Sequence, residues 1–98
     1  MSAVAMETLI GERVHPLKTW PKYFHALAAG DKTFEARRND RDYRVGDVLR
    51  LREWDTIDGY SGRELWYRVT YVLCDSDVLP LGDIAILGIR FIAQGDDA

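Results

Sequence analysis

Apolar side chains recur at helical spacing in the first third of the chain. The stripe, spaced by three and four residues, consists of Trp20, Tyr23, Phe24 and Leu27. This spacing predicts a helix of about ten residues, with Thr19 as its N-cap and Pro21 in its first turn. Gly30, directly after the helix, is a typical helix stop signal. A short strand is predicted before the helix, over residues 13–18.

After Gly30 the apolar positions alternate with polar ones, which is typical of β-strands. We predict four strands here, over residues 33–37, 48–54, 64–73 and 84–92. In the first of them Phe34 and Ala36 are expected to face the core. The opposite face then carries Thr33, Glu35 and Arg37.

The strand over residues 48–54 allows the same kind of assignment. Leu49 and Leu51 are expected to face inward, and Arg50 and Arg52 outward. The residues that the pattern as a whole places in the core are Trp20, Phe24, Leu27, Phe34, Leu49, Leu51, Val69 and Ile89.

The length of 98 residues predicts one domain, and a hydrophobic content of 47% is enough for one core. We assign residues 1–12 to a flexible lead-in, 13–93 to the domain and 94–98 to a polar tail. One strong helix and several short strands predict an α+β fold. The strands would form a small, closed or nearly closed β-barrel, with the main helix packed against it.

Composition excludes several classes of protein. A single cysteine, Cys74, permits no internal disulfide and no cysteine zinc set, which favours a reducing, cytoplasmic setting. No Asp/His cluster has metal-ligand spacing, and we expect neither a metal nor another cofactor. No apolar run reaches the roughly 20 residues that span a bilayer, and the segment from Met1 to Glu12 does not resemble a secretory signal.

The charge distribution is uneven, although the net charge is only −3. The segment from Glu12 to Arg52 holds ten Lys or Arg against six Asp or Glu, and the remainder holds three against ten. A basic half of an acidic protein can present a local anion site. Alternatively, both signs decorate solvated faces.

The densest group of chemically versatile side chains lies between Gly30 and Arg37. Arg37 supplies a bidentate fork, Lys32 a point charge and Glu35 an acceptor or base. Together they could hold an anionic or amide-bearing ligand. The simpler interpretation is an exposed strand face with an ordinary ion pair.

This segment reads G-x-K-x-x-E-x-R, which resembles the signature of ASCH domains, PUA-like β-barrels associated with RNA. The sequences H-P-L-K at 15–18, R-N-D-R at 38–41 and V-G-D-V-L at 45–49 further resemble DUF3850, an uncharacterised phage and bacterial branch of that superfamily. The resemblance extends from His15 to about Phe91. It implies a PUA-like barrel with a polar cleft, between helix and barrel mouth, that holds Lys18, Lys32, Glu35 and Arg37.

Some ASCH relatives are small amidohydrolases of acetylated cytidine that use a Lys, a Thr and a Glu. Lys32 stands at the position of their Lys, which makes Lys32 and Glu35 the catalytic candidates here. Glu35, however, stands where those enzymes have the nucleophilic Thr, so a carboxylate replaces the hydroxyl group. Thr33 is nearby but is offset from that position.

We therefore predict a nucleic-acid or nucleotide-binding module, with RNA favoured. Its expected ligand-binding residues are Lys18, Lys32, Thr33, Glu35, Arg37, Asn39 and Arg41. The alternatives are a small hydrolase of a modified nucleoside or of nucleic acid, and a phage-type protein that binds a host protein. Asn39 could instead cap its own turn, and His15 is either a general base or a structural histidine. The candidates for stacking on a base are Trp54, Tyr60 and Trp66.

Overall fold

The computed structural model describes residues 12–96. Its elements, in chain order, are β1 (Val14–Thr19), α1 (Pro21–Ala28), β2 (Phe34–Arg38), β3 (Val48–Asp55), β4 (Gly59–Leu73) and β5 (Ile84–Asp96). Every helix and strand predicted above is present. β5 runs through Asp96, so the first three residues of the predicted tail lie in a strand. The predicted lead-in, apart from Glu12, lies outside the described residues, as do residues 97–98.

The five strands form one curled sheet, a half-barrel, in the order β1-β3-β4-β5-β2. β1 pairs with β3 in parallel, and the other neighbouring pairs are antiparallel. Gly30 ends the turn after α1 with φ +82°, a conformation that favours glycine. Because α1 connects β1 to β2, the two edge strands of the sheet are brought to the same helix.

The concave face of the sheet holds the core. Leu17, Leu51 and Leu65 are in register on neighbouring strands and therefore share this face. Phe24 and Leu27 of α1 pack onto it. Of the predicted core residues, Phe24, Leu27, Leu49, Leu51 and Val69 are buried, and Ile89 is half-buried. No helix within residues 12–96 is long and apolar enough to cross a membrane.

Two predicted core residues are exposed instead. Phe34 is 47% exposed and Trp20 is 49% exposed. In β2 the face assignment is reversed, because Glu35 is the residue that points inward. Trp20 is not in the core because it is the N-cap residue and precedes the first helical residue, Pro21. Thr19, predicted to be the N-cap, is the last residue of β1.

A buried carboxylate beside α1 makes stability depend on acid pH. Burial alone would raise the pKa of Glu53, but hydrogen bonds from Ser61 and Arg63, with the charges of Arg63 and His25, hold this pKa below its ordinary value. A lowered pKa in the folded state stabilises the fold above the unfolded-state value of 4.5, and this contribution is lost as pH falls through the folded-state value.

We expect Glu53→Gln to reduce the free energy of unfolding at neutral pH. The difference from wild type should shrink as the pH drops below about 4.5. Urea unfolding of both proteins between acid and neutral pH measures it. A difference that stays constant over this range would contradict the assignment.

Candidate functional site

A cleft of about 410 Å³ opens where β1, the first turn of α1 and β2 meet, and we call it the edge cleft. Its volume falls within the range of about 300–1,000 Å³ that is typical of small-molecule sites. The charged residues that line it are Lys18, Lys32, Glu35 and Arg37. The structure therefore brings together four of the seven residues that the sequence put forward for ligand binding.

Glu35 lies at the floor of the edge cleft between two cations. Its side chain is 3% exposed. Lys32 Nζ donates to Oε1 at 2.5 Å, and Arg37 Nε donates to Oε2 at 2.9 Å. A buried carboxylate is tolerated when it is paired and hydrogen-bonded in this way. The same pairing holds both cations in fixed positions.

Arg37 also ties the two edges of the half-barrel together. One of its terminal nitrogens, Nη2, donates to the carbonyl oxygen of Lys18 at 2.8 Å and lies 3.4 Å from Thr19 Oγ1. β1 and β2 are not neighbours in the sheet, so this side chain bridges a gap that the backbone leaves open. The cluster therefore has a structural role in addition to any role in binding.

Three aromatic side chains form the apolar walls of the edge cleft. Trp20, Tyr23 and Phe34 all line it, and each is between 43% and 49% exposed. Lys32 Nζ lies 5.2 Å from the ring centroids of both Tyr23 and Phe34, within cation–π range. Periodicity had suggested core positions for Trp20 and Phe34 and had placed Tyr23 on the apolar stripe of the helix, so none of the three was predicted to be a site residue.

Lys18 and Trp54 extend the edge cleft on the β1 side. Lys18 Nζ lies 4.3 Å from the ring centroid of Trp54, and Trp54 packs against Trp20 at 5.4 Å between ring centroids. The predicted stacking residue Trp54 thus lies next to the edge cleft. Tyr60 is the register partner of Trp54 on β4 and lies beside Arg52, and Trp66 lies beside Arg50; neither residue lines the edge cleft.

The remaining predicted binding residues lie outside the edge cleft. Thr33 lines a second cleft of about 250 Å³ between α1 and the strands β4 and β5. In the loop after β2, the backbone N–H of Asn39 donates to the carbonyl oxygen of Asp83 at 2.6 Å, and its side-chain amide donates to Cys74 Sγ at 3.7 Å. The side chain of Arg41 is 42% exposed and lies 4.0 Å from a carboxylate oxygen of Asp40.

Two further titratable residues serve the fold. His15 is buried, with Nε2 at 2.8 Å from Asp47 Oδ2, and its ring packs edge-on against Tyr43. Burial raises the pKa of Tyr67, and the charge of Glu35 raises it further. The Tyr67 hydroxyl donates to the carbonyl oxygen of Leu27. His15 is thus buried, paired with Asp47 and outside the edge cleft.

Comparison with known proteins gives a family match but no activity. Residues 14–89 match the family described as a domain of unknown function, DUF3850. A protein of Escherichia phage P2, described as an uncharacterized 12.9 kDa protein in the GpA 3' region, is 40% identical over 68 residues. The match covers 68% of this chain and 61% of that relative. Residues 14–89, matched by the family, include every residue that lines the edge cleft.

Proposed function

The chain belongs to the DUF3850 family, and we propose that it is a cytoplasmic nucleic-acid or nucleotide-binding module of the ASCH/PUA-like type, with RNA as the favoured ligand. The observation that carries this proposal is the pairing of half-exposed aromatic walls with fixed cations in the edge cleft. The ASCH-like signature residues Lys32, Glu35 and Arg37 all line this cleft, which supports the assignment.

The walls of the edge cleft suit an unstacked base. Aromatic side chains bind the faces of splayed bases in single-stranded RNA, and every base offers such a face. Nearly half of the surface is exposed in each of the three wall residues, Trp20, Tyr23 and Phe34. The ammonium groups of Lys18 and Lys32, which line the same cleft, would then contact the phosphate attached to that base.

Glu35 contributes by positioning the cations. Both of its oxygens already accept from a cation, so a ligand N–H would have to displace Lys32 or Arg37 to reach it. This arrangement favours the binding module over the small hydrolase, because the hydrolase would need Glu35 as its proton acceptor.

We expect single-stranded RNA to bind with an affinity that falls as salt is added. Lys32→Ala should reduce the slope of log affinity against log salt by about 0.7, since one phosphate contact with a single strand is lost. Fluorescence anisotropy of a labelled RNA at several salt concentrations measures this slope. Lys22→Ala is the matched control, because Lys22 is an exposed lysine of α1 that does not line the edge cleft.

Several outcomes would count against the proposal. Equal slopes for Lys32→Ala and Lys22→Ala would remove Lys32 from the interface. Absence of binding to RNA and DNA at low salt would favour the protein-partner alternative. Hydrolysis of acetylated cytidine by the purified protein, abolished in Glu35→Gln with the fold intact, would establish the hydrolase instead.

A further inference from the structure

The outer, convex face of the sheet is unusually rich in cations. Residues that are in register on neighbouring strands share a face, and Lys18 pairs with Arg52 on this one. Further along, Arg68 pairs with Arg90. On the four strands β1, β3, β4 and β5 the cationic side chains of this face are Lys18, Arg50, Arg52, Arg68 and Arg90. For a protein with a net charge of −3, this is a marked local concentration.

The carboxylates on this face leave an excess of positive charge. Glu64 is buried and lies between Arg50 and Arg52, and Glu12 pairs with Arg68. Among the ion pairs described on these four strands, two carboxylates thus face five cations. The side chains of Arg50, Arg52 and Arg68 are between 24% and 31% exposed, and Arg90 is exposed. All four guanidinium groups of this face are therefore accessible to a bound polyanion.

The spacing of the cations fits a polymer. Successive rows on one sheet face are two residues apart, which is about 6.6 Å along the strand. Three successive rows of this face carry cations: the first has Arg52, the second Arg50, and the third Arg68 with Arg90. The distance between rows is therefore close to the distance between adjacent phosphates of an extended nucleic-acid chain. A single phosphate would need only one such row.

Aromatic rings lie among these cations. The Arg50 guanidinium lies 5.6 Å from the ring centroid of Trp66. The Arg52 guanidinium lies 3.9 Å from the ring centroid of Tyr60. Sequence-tolerant single-strand binding combines a cationic track for the backbone with rings on which bases stack. An acidic peptide would use the cations but not the rings. Charge and rings together therefore favour single-stranded nucleic acid as the occupant.

We propose that this outer face carries the backbone of a single-stranded nucleic acid whose terminal or splayed base enters the edge cleft. The proposal deepens the proposed function, since it extends the ligand from one nucleotide to a strand. Lys18 connects the two surfaces: it lines the edge cleft, and it also pairs with Arg52 on the outer face. Its ammonium group lies over the ring of Trp54. At this point the nucleic acid would pass from the outer face into the edge cleft.

The test compares uridine monophosphate with an oligouridylate of about twelve nucleotides, a length that single-strand binding folds cover. Wild type should bind the oligomer more tightly than the mononucleotide. Arg68→Gln/Arg90→Gln should weaken oligomer binding about tenfold at low salt and reduce its salt slope by about 1.4, at roughly 0.7 per phosphate. Mononucleotide binding, which reports on the edge cleft, should stay unchanged.

The matched control is Lys22→Gln/Arg44→Gln, which removes the same charge from an exposed position of α1 and an exposed position of the loop after β2, both outside the sheet. It should change neither binding constant by more than about twofold. Arg90→Gln alone, at an exposed position, should give about half of the slope change if the double variant is unstable. Equal losses in both double variants would overturn the proposal, as would a polyglutamate of equal charge that binds as tightly as the RNA. If wild type bound the oligomer but not the mononucleotide, the edge cleft would be excluded as the nucleotide site, and the assignment of the outer face would be unaffected.

Discussion

We expect Phe24→Ala to lower the free energy of unfolding by about 3–5 kcal/mol, which is the usual cost of truncating an enclosed phenylalanine. Phe24 is 1% exposed and packs in the core between α1 and the concave face of the sheet. Phe34→Ala should cost only about 1 kcal/mol, because nearly half of that ring is already exposed. Urea unfolding of both variants measures the difference.

The same pair of variants separates core from site. Phe34→Ala should weaken nucleotide binding through the loss of one wall of the edge cleft. Tyr71→Ala is its control, because Tyr71 is 63% exposed and lines neither cleft. If Phe34→Ala were as destabilising as Phe24→Ala, β2 would face the other way and Glu35 would not form the floor of the edge cleft.

The secondary structure could be predicted because it depends on local spacing. The helical stripe with Gly30 after it, and the alternation that follows, are signals within a few residues. They place the elements close to their actual bounds, except that β4 begins at Gly59 and not at residue 64, and β5 ends at Asp96 and not at residue 92. Faces could be predicted where the two sides of a strand differ clearly. Arg50 and Arg52 face outward for this reason, and Leu49 and Leu51 inward.

The face of β2 could not be predicted from alternation, because the pattern shows that two faces exist but not which one is covered. Burial of Glu35 depends on Lys32 and Arg37 as partners, and the exposure of Phe34 follows from it. Local rules fail most often where a protein builds a site. The reversed strand therefore coincides with the edge cleft.

The membership of the site could be predicted only in part. Lys18 and Arg37 are far apart in sequence, and they meet because α1 returns the chain from one sheet edge to the other. Strand order is not encoded in local spacing, so their contact had to be inferred from family resemblance. The sequence offered no equivalent signal for Trp20, which lines the edge cleft because it precedes Pro21.

We expect Arg37→Met to lower the free energy of unfolding by about 3 kcal/mol. The variant loses a charge-assisted hydrogen bond to Glu35, worth about 1.5–3 kcal/mol, and leaves the carbonyl oxygen of Lys18 without this donor, at about 1 kcal/mol. Arg37→Lys should cost about half as much. It keeps the charge, but a single ammonium group cannot reproduce the fork that holds Glu35 and β1 together.

A double-mutant cycle of Arg37→Met with Glu35→Gln distinguishes this bridge from two independent surface groups. Residues in one buried hydrogen-bonded cluster couple by about 0.5–3 kcal/mol, whereas distant residues are additive. We expect a coupling of about 1–2 kcal/mol, because Glu35 is 3% exposed and Arg37 contacts it directly at 2.9 Å. Additive costs, or a loss below about 1 kcal/mol for Arg37→Met, would mean that the sheet edges hold together without this side chain. Arg37 would then be free to serve the ligand alone.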